Sequence, residues 1–198
     1  MSRQTPSQTV GPFFAYGLVP EGYGRPGLGR NVLAGDHTGG ERIVLVGRVL
    51  DGDNAPVPDA LIELWQANRH GRYAHPADQR REYPLDPHFQ GFGRVGTGAD
   101  GSFRFVTVKP GRVPGPDNRI QAPHLNLTVF AQGLLSHLYT RVYFDDEAGA
   151  NAADPVLELV EKSRRGSLVA SREPTAERVI YRFNIHLQGD AETVFFDL

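Results

Sequence analysis

His124-Leu125-Asn126-Leu127-Thr128-Val129-Phe130-Ala131 alternates with a period of two. Leu125, Leu127, Val129 and Ala131 share one face; His124, Asn126, Thr128 and Phe130 share the other. The stretch reads as a strand with an apolar side and a side that carries polar candidates for chemistry. Comparable runs lie on both sides of it. Residues 43–50 are apolar and β-branched, Leu61–Trp65 sets Ile62 and Leu64 against Glu63, and residues 141–144 read as a further strand. Val179, Tyr181, Phe183, Ile185 and Leu187 alternate with polar partners over residues 179–188, and residues 193–196 close the set. Asp100-Gly101, between Val95-Gly96-Thr97 and Phe103-Arg104-Phe105, predicts a hairpin. One short helix is expected after Asp154, an N-cap followed by Pro155 at the first helical position. The expected fold is all-β, a sandwich of mainly antiparallel strands with one short helix.

The 198 residues suit one domain. The 23 glycines and 15 prolines are spread between short apolar runs, which favours many turns over disorder. Cysteine is absent, so disulfides, thiolate metal sites and a cysteine nucleophile are excluded. A net charge of −2 makes no electrostatic case for nucleic acid or an anionic membrane. No apolar run is long enough to span a bilayer, and Met1-Ser2-Arg3-Gln4-Thr5-Pro6 lacks the apolar core of a secretion signal. The expectation is a soluble, cytoplasmic protein.

Residues 1–40 read differently from residues 41–198. Glycines and prolines punctuate a stretch with little periodicity, and Val10, Phe13, Phe14 and Tyr16 argue against a frayed tail. The segment is read as an irregular N-terminal arm that packs on a partner subunit. Its Gly22–Gly29 run is not a phosphate loop, because no lysine–serine/threonine pair accompanies it.

Several motifs together resemble the intradiol ring-cleavage dioxygenases. They are residues 51–67 with their Trp65-Gln66-Ala67 box, Gly71-Arg72-Tyr73, and residues 97–105 leading into Val108-Lys109-Pro110-Gly111. The resemblance implies a site in which two tyrosines and two histidines hold iron(III). By that resemblance the ligand positions fall on Tyr73, Val113, His124 and Asn126, and the family's substrate-side arginine falls on Gln121. Valine has no ligand atom and a carboxamide is a poor ligand for ferric iron. The chain therefore resembles the non-iron α subunit of the family's two-chain members, with Fe(III) bound by a β subunit of the same fold. The implied reaction is cleavage of 3,4-dihydroxybenzoate by O2 to 3-carboxy-cis,cis-muconate, in the 3-oxoadipate pathway. Thr9, Gly11, Pro12, Phe13 and Gln132 are then the implied substrate-pocket residues, with no catalytic residue on this chain.

Blander readings stand beside these. Tyr73 and His124 read as remnants bonded to each other in a dead pocket. Trp65 and Glu63 read as core packing and a structural ion pair, and His70 and His75 as solvated loop residues. His37, His88, His137 and His186 are assigned no chemistry. The alternative function is a homo-oligomeric β-sandwich module that binds aromatic acids without catalysis.

Overall fold

The alternation around Asn126 becomes one strand of a two-sheet sandwich in the computed structural model, which describes residues 17–26, 30–175 and 178–197. One sheet runs β4 (Ser102–Val108), β1 (Arg42–Leu50), β10 (Val179–Arg182) and β9 (Val169–Pro174), with β11 (Ile185–His186) continuing alongside β1. The other runs β3 (Phe92–Gly96), β2 (Leu61–Trp65), β7 (Leu125–Phe130) and β8 (Leu138–Phe144). A short parallel pairing of Tyr143 and Phe144 with Val169 and Ala170 joins the two. Most pairings are antiparallel, and the fold is all-β as expected.

Period-two patterning explains the core. Ile43, Leu45, Phe105, Tyr181 and Ile185 from one sheet meet Ile62, Leu64, Leu125, Leu127, Val129, Val142 and Phe144 from the other. Each such side chain contributes about 1.5–3 kcal/mol on burial. The Trp65-Gln66-Ala67 box has its own physical reason. Fully buried Gln66 donates to the Ala67 and Val108 carbonyls and accepts from the Thr107 hydroxyl, which ties β2 to β4.

Three elements depart from expectation. β3 and β4 do not pair as a hairpin: β3 pairs with β2 and β4 with β1. The Asp100-Gly101 turn carries the chain from one sheet to the other, closed by Gly101 N–H to the Gly98 carbonyl at 2.8 Å. The last long strand is interrupted at Phe183-Asn184, where the Asn184 side chain, instead of a backbone carbonyl, accepts the Arg48 N–H at 3.1 Å. Residues 193–196 form no strand; Phe196 makes a single bridge to Tyr139.

Asp154 does cap a helix as its sequence predicts. α2 (Pro155–Leu159) follows it, and α1 (Ala148–Ala152) is a second five-residue helix just before. Two further features cover the outer face of the β7–β8 pair: a small ladder of β5 (Val113–Pro114) with β6 (Ile120–Gln121), and the irregular chain from residue 66 to 90. Within the segment read as an arm, Val32 bridges to Val106 of β4, and residues 1–16 and 27–29 lie outside the described residues. Among the described residues no helix is long and apolar enough to cross a membrane.

Candidate functional site

The outer face of β7 presents His124 and Asn126, because their neighbours Leu125 and Leu127 point into the core. Asn126 lies opposite Trp65 of β2 on one side and Arg141 of β8 on the other, so all three side chains share that face. Trp65 is therefore a wall of the site and not a core residue. Its ring stacks on Tyr73 at 5.6 Å and meets His75 edge-on at 6.3 Å.

The Gly71-Arg72-Tyr73 motif is what brings Tyr73 here. Gly71 has φ of +80°, and a Cβ on it would stand 1.9 Å from the Arg112 carbonyl oxygen. Only glycine lets this loop press against the chain entering β5. Asn68 anchors both: its carbonyl accepts Gly71 and Gly111 N–H at 2.9 Å, and its side chain accepts His70 and Arg72 N–H. Beyond Tyr73, Asp78 accepts the Tyr73 N–H at 2.9 Å and pairs with Arg80 at 2.8 Å. Arg80 also donates to the Gly71 carbonyl at 2.8 Å.

The Arg80 hydrogen bonds hold the Asp78 carboxyl down at about 2, against the opposing effect of burial. A depressed folded value stabilises above the ordinary carboxylate range and is lost as pH falls toward 2. The contribution is about 1–2 kcal/mol, allowing for partial exposure of the pair. Asp78→Asn is expected to melt lower than wild type at pH 6, with the gap closing by pH 2; parallel melting curves across that range would contradict it.

Tyr73 and His124 do not bond to each other. Asn126 Nδ2 donates to the Tyr73 hydroxyl at 3.3 Å and to the Trp65 carbonyl at 3.2 Å. His124 is buried, and its Nδ1–H donates to the Ala122 carbonyl at 2.8 Å. A second polar chain runs beside them. Arg141 Nη1 donates to Gln121 Oε1 at 2.6 Å and to the Tyr143 hydroxyl at 3.4 Å. Tyr143 donates to Asp154 at 3.2 Å, and Asp154 also accepts the N–H groups of Ala122, Val156 and Leu157. In the sequence Asp154 reads as a helix cap and Arg141 and Tyr143 as strand residues. The signal for more was their alternation with Val142 and Phe144, which places them on the polar face once β8 pairs with β7.

Burial dominates the electrostatics. It pushes the Tyr73 and Tyr143 phenols above their ordinary values, although the Asn126 hydrogen bond and the Arg141 charge pull Tyr73 back. Burial first, then Arg141, hold His124 down at about 4, so it is neutral around pH 7. The resemblance implies a ferric ion, and these residues do not fit one. Two donors remain, Val113 is a buried hydrocarbon paired with Gln121, and the Asn126 amide is spent on Tyr73 and Trp65. Among the described residues no cluster of three or more His, Asp or Glu side chains could hold a metal ion.

The other candidates fall elsewhere. Gln132 is exposed in the turn after β7, about 20 Å along the strand direction from Asn126 at 3.3 Å per residue. Thr9, Gly11, Pro12 and Phe13 lie outside the described residues. Glu63 pairs with Arg94, as expected of a structural ion pair. His70 accepts from Arg69 Nε at 3.0 Å, and His137 packs among Phe130 and Tyr139. An open cleft of about 370 Å³, walled in part by Arg112, Arg119, Gln121 and Ala122, lies between the β5–β6 ladder and α1.

Comparison with known proteins gives a consistent answer. The family described as Dioxygenase matches residues 26–189. The chain is 52% identical to the protocatechuate 3,4-dioxygenase alpha chain of Burkholderia cepacia over 201 residues, covering 99% of this chain and 98% of that one. It is 39% identical to the beta chain of the same enzyme in that organism, covering 82% of this chain and 71% of that one. The dioxygenase domain of a carbohydrate-binding fusion protein from Streptomyces sp. SirexAA-E superposes with a TM-score of 0.60 at 25% identity, covering 94% and 99% of the two chains.

Proposed function

Because this chain belongs to the intradiol ring-cleavage dioxygenase family, we propose that it is the non-iron α subunit of a protocatechuate 3,4-dioxygenase. The reaction inserts both atoms of O2 into 3,4-dihydroxybenzoate and breaks the carbon–carbon bond between its two hydroxyl-bearing carbons. The product is 3-carboxy-cis,cis-muconate. A β subunit of the same fold binds the ferric ion, which makes the bound catechol susceptible to O2. This chain supplies pocket walls and excludes water. Thr9, Gly11, Pro12 and Phe13 of the N-terminal arm reach the partner's pocket, with Gln132 as a further contact. The assembly works in the cytoplasm, which the lack of cysteine permits.

The observation that carries this reading is the 52% identity to the alpha chain of Burkholderia cepacia over 99% of this chain, and the Tyr73–Asn126 contact and the buried hydrocarbon at Val113 support it. Co-expression with the β chain, followed by O2 uptake with 3,4-dihydroxybenzoate and other catechols, tests it. Activity is expected from the co-purified pair, fastest with 3,4-dihydroxybenzoate. Failure of the two chains to co-purify would overturn it.

The arginine-walled cleft favours one second reading, a homo-oligomeric module that binds aromatic acids. Its carboxylate partners would be Arg112 and Arg119, and Arg119 is already held by Glu158 at 2.6 Å. Saturable benzoate binding by the lone chain, lost in Arg112→Gln, distinguishes it.

A further inference from the structure

Arg94 touches the N-terminal segment twice. β3 ends its sheet, so its outward backbone groups have no further strand to pair with. The Arg94 N–H is taken instead by the Arg30 carbonyl at 3.2 Å. From there residues 31–34 cross to β4, where the Asn31 carbonyl accepts Val106 N–H at 2.8 Å and Leu33 N–H donates to the Val106 carbonyl at 2.7 Å. The Arg94 side chain meets the segment again, nearer its start. Its Nη1 donates to the Leu18 carbonyl at 3.4 Å, and Val19 lies against Gly96 two residues along the strand. β3 carries glycine where the segment comes closest. A Cβ on Gly93 would stand 2.7 Å from the Arg30 carbonyl oxygen and 2.5 Å from Leu33.

Glu63 aims the guanidinium. It stands directly across from Arg94 on β2, and one of its carboxylate oxygens accepts from Nε at 2.8 Å and also from Nη2. That leaves Nη1 of the planar fork for Leu18. Side-chain exposure is 17% for Arg94 and 22% for Glu63, so water competes weakly for that donor. We propose that Arg94, aimed by Glu63, is a positioning residue for the substrate pocket: by holding Leu18 it fixes the start of the chain that runs back to Phe13, Pro12, Gly11 and Thr9. Phe13 is five residues from Leu18, a reach of at most about 18 Å, so freedom at Leu18 passes directly to the pocket wall. This inference rests on the α-subunit reading, in which those four residues line the partner's pocket. It gives the Glu63–Arg94 ion pair a role in substrate binding, exerted through the arm.

Two conservative variants test it. Arg94→Lys keeps a charge on Glu63 but lacks a fork that serves two acceptors. Glu63→Gln keeps the guanidinium and releases its aim. Urea unfolding of each lone chain controls for stability. The first readout is amide hydrogen exchange over residues 18–25 of the lone chain, where Gly24 and Arg25 N–H bond back to Glu21 and Pro20. Exchange there is expected to rise about 10-fold in Arg94→Lys, the worth of one hydrogen bond from a charged donor, and in the same direction in Glu63→Gln, with β1 and β4 unchanged. The second readout is the complex with the β chain. KM for 3,4-dihydroxybenzoate is expected to rise about 10-fold while kcat changes less than about 2-fold, because ground state and transition state lose the same wall. Unchanged exchange at residues 18–25 overturns the proposal, and so does faster exchange with an unchanged KM. An equal rise across β1 and β4 also overturns it, since Arg94 would then only stabilise the fold. A wild-type pair that does not turn over 3,4-dihydroxybenzoate would sink the α-subunit reading instead, and the exchange comparison alone still decides whether Arg94 holds Leu18.

Discussion

Asp154→Ala is expected to cost about 3–5 kcal/mol of stability, among the largest effects a single substitution can have in this fold. The carboxylate is fully buried and accepts four hydrogen bonds. Alanine strands the Ala122, Val156 and Leu157 N–H groups and the Tyr143 hydroxyl, each at about 1–3 kcal/mol before relaxation. It also uncaps α2 and removes the carboxylate that balances Arg141 through Tyr143. Asp154→Asn is a sharper probe. One oxygen can still serve α2, but the amide nitrogen must then face a donor, so a loss of about 2 kcal/mol is expected. Urea unfolding gives both numbers from the midpoint at unchanged slope. A cost for Asp154→Ala under about 1 kcal/mol would show that the network is solvated and not structural.

Gly71→Ala is the second large effect. Left-handed backbone costs a non-glycine residue about 1–2 kcal/mol, and here the added Cβ also meets the Arg112 carbonyl oxygen at 1.9 Å. Backbone cannot rotate away as a side-chain tip can, so the loop must lift from β5, for a total of about 3 kcal/mol or more. Gly133 is the matched control. Its φ is +87° but a Cβ there meets nothing within 4 Å, so Gly133→Ala should cost only about 1 kcal/mol. Lifting the loop also separates Tyr73 from Trp65, which the near-ultraviolet circular dichroism of the stacked pair reports. Equal melting temperatures for the two alanine variants would contradict the close approach.

What the amino-acid order alone reveals follows from which interactions are local. The two faces of β7 and the cap at Asp154 were legible because a period of two and an N-cap are set within a few residues. The Asp100-Gly101 turn was misread because turn chemistry reports a reversal without saying which sheet receives the next strand. Trp65 was assigned to the core although it alternates with Leu64, and its stacking on Tyr73 depends on a loop that Gly71 positions from outside the strand. The roles of Val113 and Asn126 come from resemblance alone. The guanidinium beside Asn126 was not legible, because Arg141 reaches that face only through the register of β8 against β7, and its counter-charge comes from Asp154, which packs against Tyr143 only in the folded chain.

Where the iron resides separates a non-iron subunit from a self-sufficient enzyme. The direct measurement is iron content per chain, taken on this protein purified alone and on its complex with the β chain, both after ferric loading. None bound above background is expected on the isolated chain, and a stoichiometric amount in the complex. Tight, stoichiometric iron on the isolated chain, with visible absorption from a phenolate ligand, would contradict it.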